Sequence, residues 1–370
     1  MSETFKTPVV QFGTSRFLQA HADLFFHEGT PPRAITVVQS SGDPDRARRL
    51  AHLAAAEGYP VRIRGVQGGE TLDEERRVTS VKRTLATATD WDEISRVITE
   101  EAKIILSNTG DRGYEPRPAD AGASPDQDMS YPAKLFHLLA ARHGAGGAPL
   151  DIFPMELVPE NGAVLRARVL EIAAAQNASG SLVTWLGDCR WVNSLVDRIV
   201  SEPIEPAGAV AEPYALWAIE AQPGLEAPTK HASIQVVDDL ERIERLKLHI
   251  LNLGHTAMVQ IWRDAGGDTE LTVDAALAGD IGRAVEAILQ DEVLPGFALR
   301  GMEAEARDYA AATFERFRNP FLHHRLSDIA QNHEQKIARR IAPFVDWVRA
   351  EAPDFAAPRL DAIIAAGGAK

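Results

Sequence analysis

Lys247, Asn252 and His255 form the segment of this sequence in which residue types and spacing point most directly to chemistry. On an α-helix of roughly 100° per residue they fall at about 0°, 140° and 80°, which places all three on one face. Glu244 lies one turn before Lys247 on much the same side. The flanking residues are apolar, which predicts a largely buried helix whose polar groups need partners or a purpose.

These groups suit the oxidation of an alcohol. A partly desolvated lysine amine can remove the hydroxyl proton, and an asparagine amide can donate to the oxygen that becomes a carbonyl. A histidine can orient that oxygen, and a glutamate can pass the proton to water. An arbitrary lysine and histidine more often belong to a solvated helix without chemistry. The buried setting predicted here favours the catalytic interpretation.

The first two thirds of the chain alternate short β-rich runs with helical segments, which predicts a doubly wound parallel sheet with helices on both faces. The predicted strands are 9–12, 34–39, 61–66, 104–107 and one near 150–153. The predicted helices of this part are 16–28, 44–57, 91–102, 131–143 and 160–177.

From about Asp238 onward helical patterns dominate, over 240–264, 273–290, 301–317 and 327–348. We therefore expect a Rossmann-type dinucleotide-binding domain over residues 1–237 and a mostly α-helical substrate and catalytic domain over residues 238–370. The proline-rich stretch 202–228 predicts a linker or an interdomain lid.

The turn after the first predicted strand is where a dinucleotide fold binds a pyrophosphate. Gly13 supplies the tight turn, and a small residue at Ser15 lets the backbone approach the phosphates before a helix N-terminus. As a bare motif this is weak, because Ser15 stands where the fingerprint has its second glycine. We predict cofactor contacts from Gly13, Ser15, Arg16 and Phe17.

The tip of the second predicted strand bears on the choice between NAD and NADP. An acidic residue there would bind the ribose hydroxyls and favour NAD. The tip offers Ser40, with Asp43 slightly later and Arg46, Arg48 and Arg49 beyond it. The arginines leave NADP open, and Asp43 could instead begin a helix. We predict NAD, with contacts from Ser40 and Asp43.

Composition excludes several classes of function. The net charge of −14 disfavours nucleic acids and anionic membranes as partners. Cys189 is the single cysteine, so an internal disulfide and a CxxC-type metal site are excluded. No apolar stretch has the length of a membrane span, and Met1–Lys6 lacks the pattern of a secretory leader. We expect a cytoplasmic protein that acts on a small molecule, with monomer and dimer both open.

Several stretches together resemble one family. Lys247, Asn252 and His255 match the K-x4-N-x2-H motif of the polyol-specific long-chain dehydrogenases, the mannitol dehydrogenase family, and 193–200 resembles its N-S-x-V-D-R-I signature. Residues 9–21 resemble its opening F-G-x-G-x-F-x-R-A-H, from which Ser15 and Gln19 depart. The tagaturonate and fructuronate reductase branch is the most similar, through 107–109, 156–162, 211–217, 316–320 and 331–336.

The resemblance implies a metal-independent dehydrogenase. It makes Lys247 the general base, with Asn193 and Asn252 stabilising the reacting oxygen, His255 positioning the substrate and Glu244 exchanging protons with solvent. It places Ser107, Asn108 and Thr109 in the turn near the nicotinamide. The substrate-binding residues that it implies are Arg198, Asn332 and Lys336.

We therefore expect an NAD(P)-dependent oxidoreductase that transfers a hydride to or from an open-chain sugar acid, with tagaturonate or fructuronate as the keto form. A mannitol, other polyol or polyol-phosphate dehydrogenase is the nearest alternative. A catalytically silent dinucleotide-binding sensor is an alternative of another class, which Ser15 favours and Lys247 disfavours. A zinc enzyme is disfavoured, because His323 and His324 without a placed carboxylate are thin evidence for a metal site.

Overall fold

The computed structural model describes residues 6–110 and 112–367, so the leader prediction for the first five residues lies outside it. The chain divides into two compact units. The first comprises residues up to Ile63, Glu74–Ala211 and Ala215–Leu240, and the second comprises Arg64–Asp73, Glu212–Tyr214 and the chain from Glu241 onward. Two short segments, Arg64–Asp73 and Glu212–Tyr214, thus belong to the second unit although the chain on either side of them belongs to the first. The single domain boundary predicted at 237/238 stays a prediction.

A parallel sheet organises the first unit. The strands of the described chain are β1 (Val9–Phe12), β2 (Ile35–Gln39), β3 (Tyr59–Gln67), β4 (Glu70–Val78), β5 (Val81–Ala86), β6 (Ile104–Ser107), β7 (Asp151–Pro154), β8 (Arg190–Trp191), β9 (Ser194–Asp197), β10 (Val200–Pro203), β11 (Ala209–Ala211), β12 (Leu216–Glu220) and β13 (Ile234–Val237). Six of them form the parallel sheet, in the order β5-β2-β1-β6-β7-β8. The strand order reverses beside β1, as in dinucleotide-binding folds. The predicted fold class of this part is confirmed.

The strand predicted at 61–66 exists but does not belong to the parallel sheet, so its predicted place is wrong. It lies in β3, which joins a four-stranded sheet of order β10-β11-β3-β4. Residues along β3 alternate between buried and partly exposed, whereas all five residues of β2 are buried. A parallel sheet covered on both faces needs the second pattern. The strand β5, which the sequence analysis missed, takes the vacant position beside β2.

The prediction of a linker or lid over 202–228 is also wrong, because this stretch contains β11 and β12. The strand β12 pairs with β13 in parallel and with β9 in antiparallel orientation. Trp217 in its centre is fully buried. The prolines flank these strands or stand at an end, where a missing N–H costs little. Because the prediction rested on the prolines, it did not recognise the buried apolar run of β12 as a strand.

Helices cover the parallel sheet and build the second unit. Their bounds are α1 (Arg16–Gln19), α2 (Ala22–Glu28), α3 (Pro44–Leu53), α4 (Trp91–Glu100), α5 (Tyr131–Gly144), α6 (Asn161–Ala175), α7 (Gly180–Asp188), α8 (Leu240–Leu246), α9 (Leu253–Asp264), α10 (Val273–Leu277), α11 (Asp280–Ile288), α12 (Leu294–Leu299), α13 (Glu303–Phe317), α14 (Leu326–Ile329), α15 (His333–Arg340), α16 (Ala342–Arg349) and α17 (Pro358–Gly367). A 3-10 turn, Pro118–Ala121, precedes α5. The helix predicted over 16–28 is interrupted between α1 and α2.

Two π-helical segments distinguish the second unit. Lys247–Asn252 joins α8 to α9, and Leu289–Val293 joins α11 to α12. The predicted helix 240–264 is therefore continuous, but its hydrogen-bonding pattern changes in the middle. The predicted helix 327–348 is split where Asn332 takes a left-handed φ of 54° and again at Ile341. Apolar residues of these helices form one extensive core.

No helix in the described part of the chain combines the length and the apolar character required to cross a bilayer.

Candidate active site

A cavity of about 200 Å³ lies at the carboxyl ends of β1, β2 and β6. In parallel sheets of this order, ligands bind outside these strand ends, beside the point where the order reverses. The cavity is lined by Gly13, Thr14, Ser15, Gln39, Ser40, Ser41, Arg46, Asn108, Thr109 and Gly110. Five of the residues predicted to contact the cofactor are therefore brought together here: Gly13, Ser15, Ser40, Asn108 and Thr109.

Gly13 occupies a position that only glycine fits. Its φ is +136°, and a Cβ atom built on it would lie 2.6 Å from the backbone oxygen of Asn108. Its N–H donates to the carbonyl of Val38 at 3.1 Å, which ties the turn to β2. The turn therefore leaves bare backbone at the cavity wall. This is the feature that a dinucleotide pyrophosphate requires.

Ser15 has a local explanation for standing where the fingerprint has glycine. Its hydroxyl oxygen accepts the N–H of Leu18 at 3.2 Å and so caps α1. The same hydroxyl donates to Oδ1 of Asn108 at 3.3 Å. The substitution thus links the first turn to the turn after β6 without disturbing the conformation of Gly13.

Arg16 and Phe17 do not line the cavity. Arg16 donates to the carbonyls of Ile204 and Gly208, each at 2.9 Å, and pairs with Glu205 at 2.7 Å. The ring of Phe17 stacks on His21, with centroids 4.8 Å apart. Arg16 therefore holds a loop of the first unit, and the contacts predicted from these two residues to the cofactor stay predictions.

Asp43 begins α3, the alternative that the sequence left open. Its carboxylate accepts the N–H of Asp45 at 2.8 Å and of Arg46 at 3.2 Å. These backbone hydrogen bonds lower the pKa of Asp43. The residue is not part of the cavity wall, whereas Arg46 is. Contact between Asp43 and a ribose stays a prediction, and Arg46 is a cation that lines the cavity beside the strand tip.

Glu156 organises the turn after β6, a role that the sequence analysis did not assign. Its side chain is buried and accepts from the hydroxyls of Ser107 and Thr109, each at 3.0 Å, and from the N–H of Thr109 at 2.9 Å. Tyr114 donates to it at 2.7 Å. Ser107 is thus buried behind the wall, while Asn108 and Thr109 are presented in the cavity. The signal in the sequence that could have identified Glu156 is an acidic residue two positions after the buried strand β7.

Asn193 and Arg198 lie in the first unit and are held by protein groups. The Oδ1 atom of Asn193 accepts the N–H of Ala163 at 3.0 Å, and its Nδ2 donates to Glu220 at 2.7 Å. An amide nitrogen carries two N–H donors, so one is left for a substrate oxygen. Arg198 is buried and donates to the carbonyl of Ala20 at 2.7 Å. Neither predicted role is tested by these contacts.

In the second unit, the π-helical segment begins at Lys247 and ends at Asn252. The prediction of a regular α-helix is wrong for these six residues. Hydrogen bonds of a π-helix join residues five apart, so Lys247 and Asn252 lie one above the other rather than about 140° apart. Both are half-buried, as is Glu244. Short π segments inside α-helices are frequent at functional sites.

His255 follows Asn252 by three residues and shares its helix face. It is buried, with its ring 4.4 Å from that of Phe317 and 5.6 Å from that of His324. Burial lowers its pKa well below the ordinary value, and nearby positive charges lower it further. The ring is therefore neutral at physiological pH. Within the described chain it makes no hydrogen bond, which leaves its nitrogens available to a ligand.

Lys336 and Asn332 belong to the N-terminal half of α15. Lys336 is half-buried, and its ammonium group donates to the carbonyl of Ile329 at 2.7 Å. The side chain of Asn332 is exposed at the start of the helix and makes no capping hydrogen bond.

Across residues 6–110 and 112–367, no group of three or more His, Cys, Asp or Glu side chains is arranged to hold a metal ion.

Comparison with known proteins identifies the family. The Mannitol dehydrogenase Rossmann domain matches residues 7–230, and the Mannitol dehydrogenase C-terminal domain matches residues 239–367. The altronate oxidoreductase of Halalkalibacterium halodurans is 32% identical over 96% of this chain and 74% of its own length. The altronate oxidoreductase of Klebsiella pneumoniae is 32% identical over 90% of this chain and 74% of its own length.

Solved structures agree on the fold. The substrate-free D-sorbitol dehydrogenase has a TM-score of 0.82 at 20% identity and covers 98% of this chain and 80% of its own. The Pseudomonas fluorescens mannitol 2-dehydrogenase, solved with NAD and D-mannitol, has a TM-score of 0.75 at 18% identity, with 98% and 79% covered.

This chain belongs to the mannitol dehydrogenase family. It is a dehydrogenase that acts on a CH–OH group with a nicotinamide dinucleotide as its cofactor, and its altronate oxidoreductase relatives place it beside the sugar-acid branch. The family, the enzyme class and the cofactor class predicted from the sequence are confirmed.

Proposed function

We propose that this enzyme interconverts a sugar acid of the altronate type and its keto form, tagaturonate, with NAD. The proposal is carried by the similarity to altronate oxidoreductases, which extends over 96% of the chain at 32% identity. The cavity beside β1 supports binding of the dinucleotide, because Gly13 exposes bare backbone where the pyrophosphate would lie.

In this proposal Lys247 takes the proton of the substrate hydroxyl. Asn252, one π-helical turn above it, donates to the oxygen as that oxygen becomes a carbonyl, and the remaining N–H of Asn193 has the same role. A bound nicotinamide would supply or accept the hydride. His255 is neutral and can donate to or accept from a substrate hydroxyl. Glu244, one turn before Lys247, would return the proton to water.

A polyol dehydrogenase is the second candidate, and the likeness in fold to the sorbitol and mannitol enzymes favours it. NADP is the alternative cofactor, because Arg46 lines the cavity beside Ser40 and Ser41, where a 2′-phosphate would be bound.

A substrate panel separates these candidates. Altronate, mannonate, D-mannitol and D-sorbitol would be supplied with NAD or NADP, and tagaturonate and fructuronate with the reduced cofactors, while absorbance at the nicotinamide band is followed. We expect the highest kcat/KM for altronate or tagaturonate with the NAD couple. Preference for a neutral polyol would overturn the sugar-acid assignment. Cofactor binding by fluorescence with no turnover of any substrate would identify a sensor instead.

A further inference from the structure

Arg340, the last residue of α15, is a half-buried cation without an acidic partner among the described residues. Its Nη1 atom lies 3.3 Å from the hydroxyl of Thr256, one residue after His255. Lys336, one helical turn earlier, also has no carboxylate within ion-pair distance in the described chain. Among the described residues, the one hydrogen bond of its ammonium group is to the carbonyl of Ile329. Two adjacent positive charges are therefore left uncompensated.

The other buried and half-buried arginines of the second unit have acidic partners. Arg316 forms a buried pair with Glu212 through contacts of 2.8 and 3.0 Å, and Arg349 pairs with Asp361. Removing a charge from water without a partner costs free energy, which proteins usually avoid. Burial lowers the pKa of Arg340, and burial followed by the charge of Arg340 lowers the pKa of Lys336. The uncompensated charges of Arg340 and Lys336 on α15 therefore indicate a site for an anion that is not part of the chain.

The helix α15 is fixed against the helix that carries the Lys247 motif. The ring of His249 lies 3.0 Å from the carbonyl of Arg340, and His333 bonds Gln260 at 3.0 Å. Arg263 adds an ion pair to Glu334 at 3.4 Å. These contacts hold Arg340 in a constant position relative to His255. A rigid cation binds an anion at a smaller entropic cost than a mobile one.

The charges around His255 are almost all positive. His324, Arg316, Arg340 and Lys336, in this order after burial, lower its pKa. Among the described residues, Glu212 neutralises Arg316 and the exposed Asp328 acts on His324, so the charges that stay uncompensated near His255 are those of Arg340 and Lys336. An anion beside Arg340 would therefore lie close to a neutral, unbonded imidazole. This combination suits a molecule with a carboxylate at one end and hydroxyl groups along its length.

We propose that Arg340, with Lys336 beside it, binds the carboxylate of the sugar-acid substrate and makes the enzyme prefer acids to neutral polyols. A guanidinium binds a carboxylate through two parallel hydrogen bonds, which gives both affinity and direction. This inference rests on the proposed function. It assigns the terminal carboxylate to the second unit and adds a specificity residue to the reaction.

The test compares Arg340→Gln with Arg339→Gln. Arg339 is the preceding residue on the same helix and is exposed, so its substitution removes the same charge from the same element. We expect Arg340→Gln to raise KM for altronate by about 10- to 100-fold, the range for loss of a hydrogen bond to a charged group. Turnover of the polyol with CH2OH in place of the carboxylate should change by less than twofold. Arg339→Gln should alter neither, and Arg340→Lys should recover part of the loss.

An equal loss with acid and polyol in a folded Arg340→Gln protein would overturn the inference, as would an unchanged KM for altronate. A binding measurement separates this result from failure of the proposed function. If the wild type oxidises no sugar acid, its thermal midpoint is recorded with altronate and with the neutral polyol. Stabilisation by altronate alone, lost in Arg340→Gln but kept in Arg339→Gln, would support the carboxylate site. Equal stabilisation in both variants would refute it.

Discussion

The cavity proposed to bind the dinucleotide in the first unit and the Lys247 helix proposed to carry the chemistry in the second are built by different means. The cavity relies on backbone shape, since Gly13 is bare, the hydroxyl of Ser15 donates to Asn108, and the carboxylate of Glu156 accepts the N–H of Thr109. The helix relies on side-chain charge and on a change of helix type at Lys247–Asn252. Backbone-based binding tolerates side-chain exchanges such as serine for glycine at Ser15, whereas charge-based binding depends on the identity of each residue.

The largest expected effect is in the helix. Lys247→Ala should lower kcat by about 100- to 10,000-fold, because it removes the group that takes the substrate proton. Binding of NADH, measured by fluorescence, should be unchanged. Lys82→Ala, an exposed lysine of β5, is the control and should keep full activity. A near-normal rate in Lys247→Ala would show that the helix does not carry the chemistry.

The second prediction tests the backbone of the cavity. Gly13→Ala would force a Cβ atom to within 2.6 Å of the Asn108 carbonyl at a φ of +136°. Strain of about 1–3 kcal/mol should weaken NADH binding by roughly 10- to 100-fold, measured by fluorescence titration. Gly180→Ala provides the control, because a Cβ atom there meets nothing within 4 Å. Unaltered binding in Gly13→Ala would mean that the pyrophosphate lies elsewhere.

The smallest expected effect is on the pH dependence of stability, and it arises from Asp23 in the interior of the first unit. Burial raises the pKa of Asp23 from 3.8 to about 7, and Tyr59 donates to its carboxyl at 2.7 Å. Between about pH 4 and pH 7 the folded chain keeps a proton that the unfolded chain has lost. The contribution of Asp23 to the free energy of unfolding should therefore fall through this window as pH rises, by up to a few kcal/mol, and level off above it.

Asp23→Asn removes this titration and keeps the shape of the side chain. The urea midpoint of the variant, taken relative to that of the wild type, should rise between pH 5 and pH 8, and the variant should be the more stable at pH 8. Identical pH dependence in both proteins would show that Asp23 is ionised in the fold. Buried neutral histidines such as His255 add a slope of the opposite sign below about pH 7, because the unfolded chain binds a proton there that the folded chain does not; this contribution is the same in both proteins and cancels in their difference.

Local signals predicted the elements that they encode directly. The strands β1 and β6 have the predicted bounds. A short, mostly apolar run bounded by turn-forming positions indicates a strand that is buried on both faces of the sheet, and all four residues of each strand are buried. The hairpin of β3 and β4 was missed although Gly68 and Gly69 connect its strands, a recognised two-residue turn signal. Strand β12 was not predicted, because the surrounding prolines favoured an irregular segment over the four-residue apolar run Leu216–Ile219.

The sequence by itself determined the chemical inventory: the glycine of the first turn, the spacing of Lys247, Asn252 and His255, and the family to which these belong. Only the tertiary structure decided that the helix changes to π geometry beneath these residues, that Glu156 holds the turn after β6, and that Arg340 has no acidic partner among the described residues. The last two properties depend on groups far apart in the sequence, and on which hydrogen bonds and charges remain unsatisfied after packing. A periodicity of 3.6 residues contains no information about such contacts.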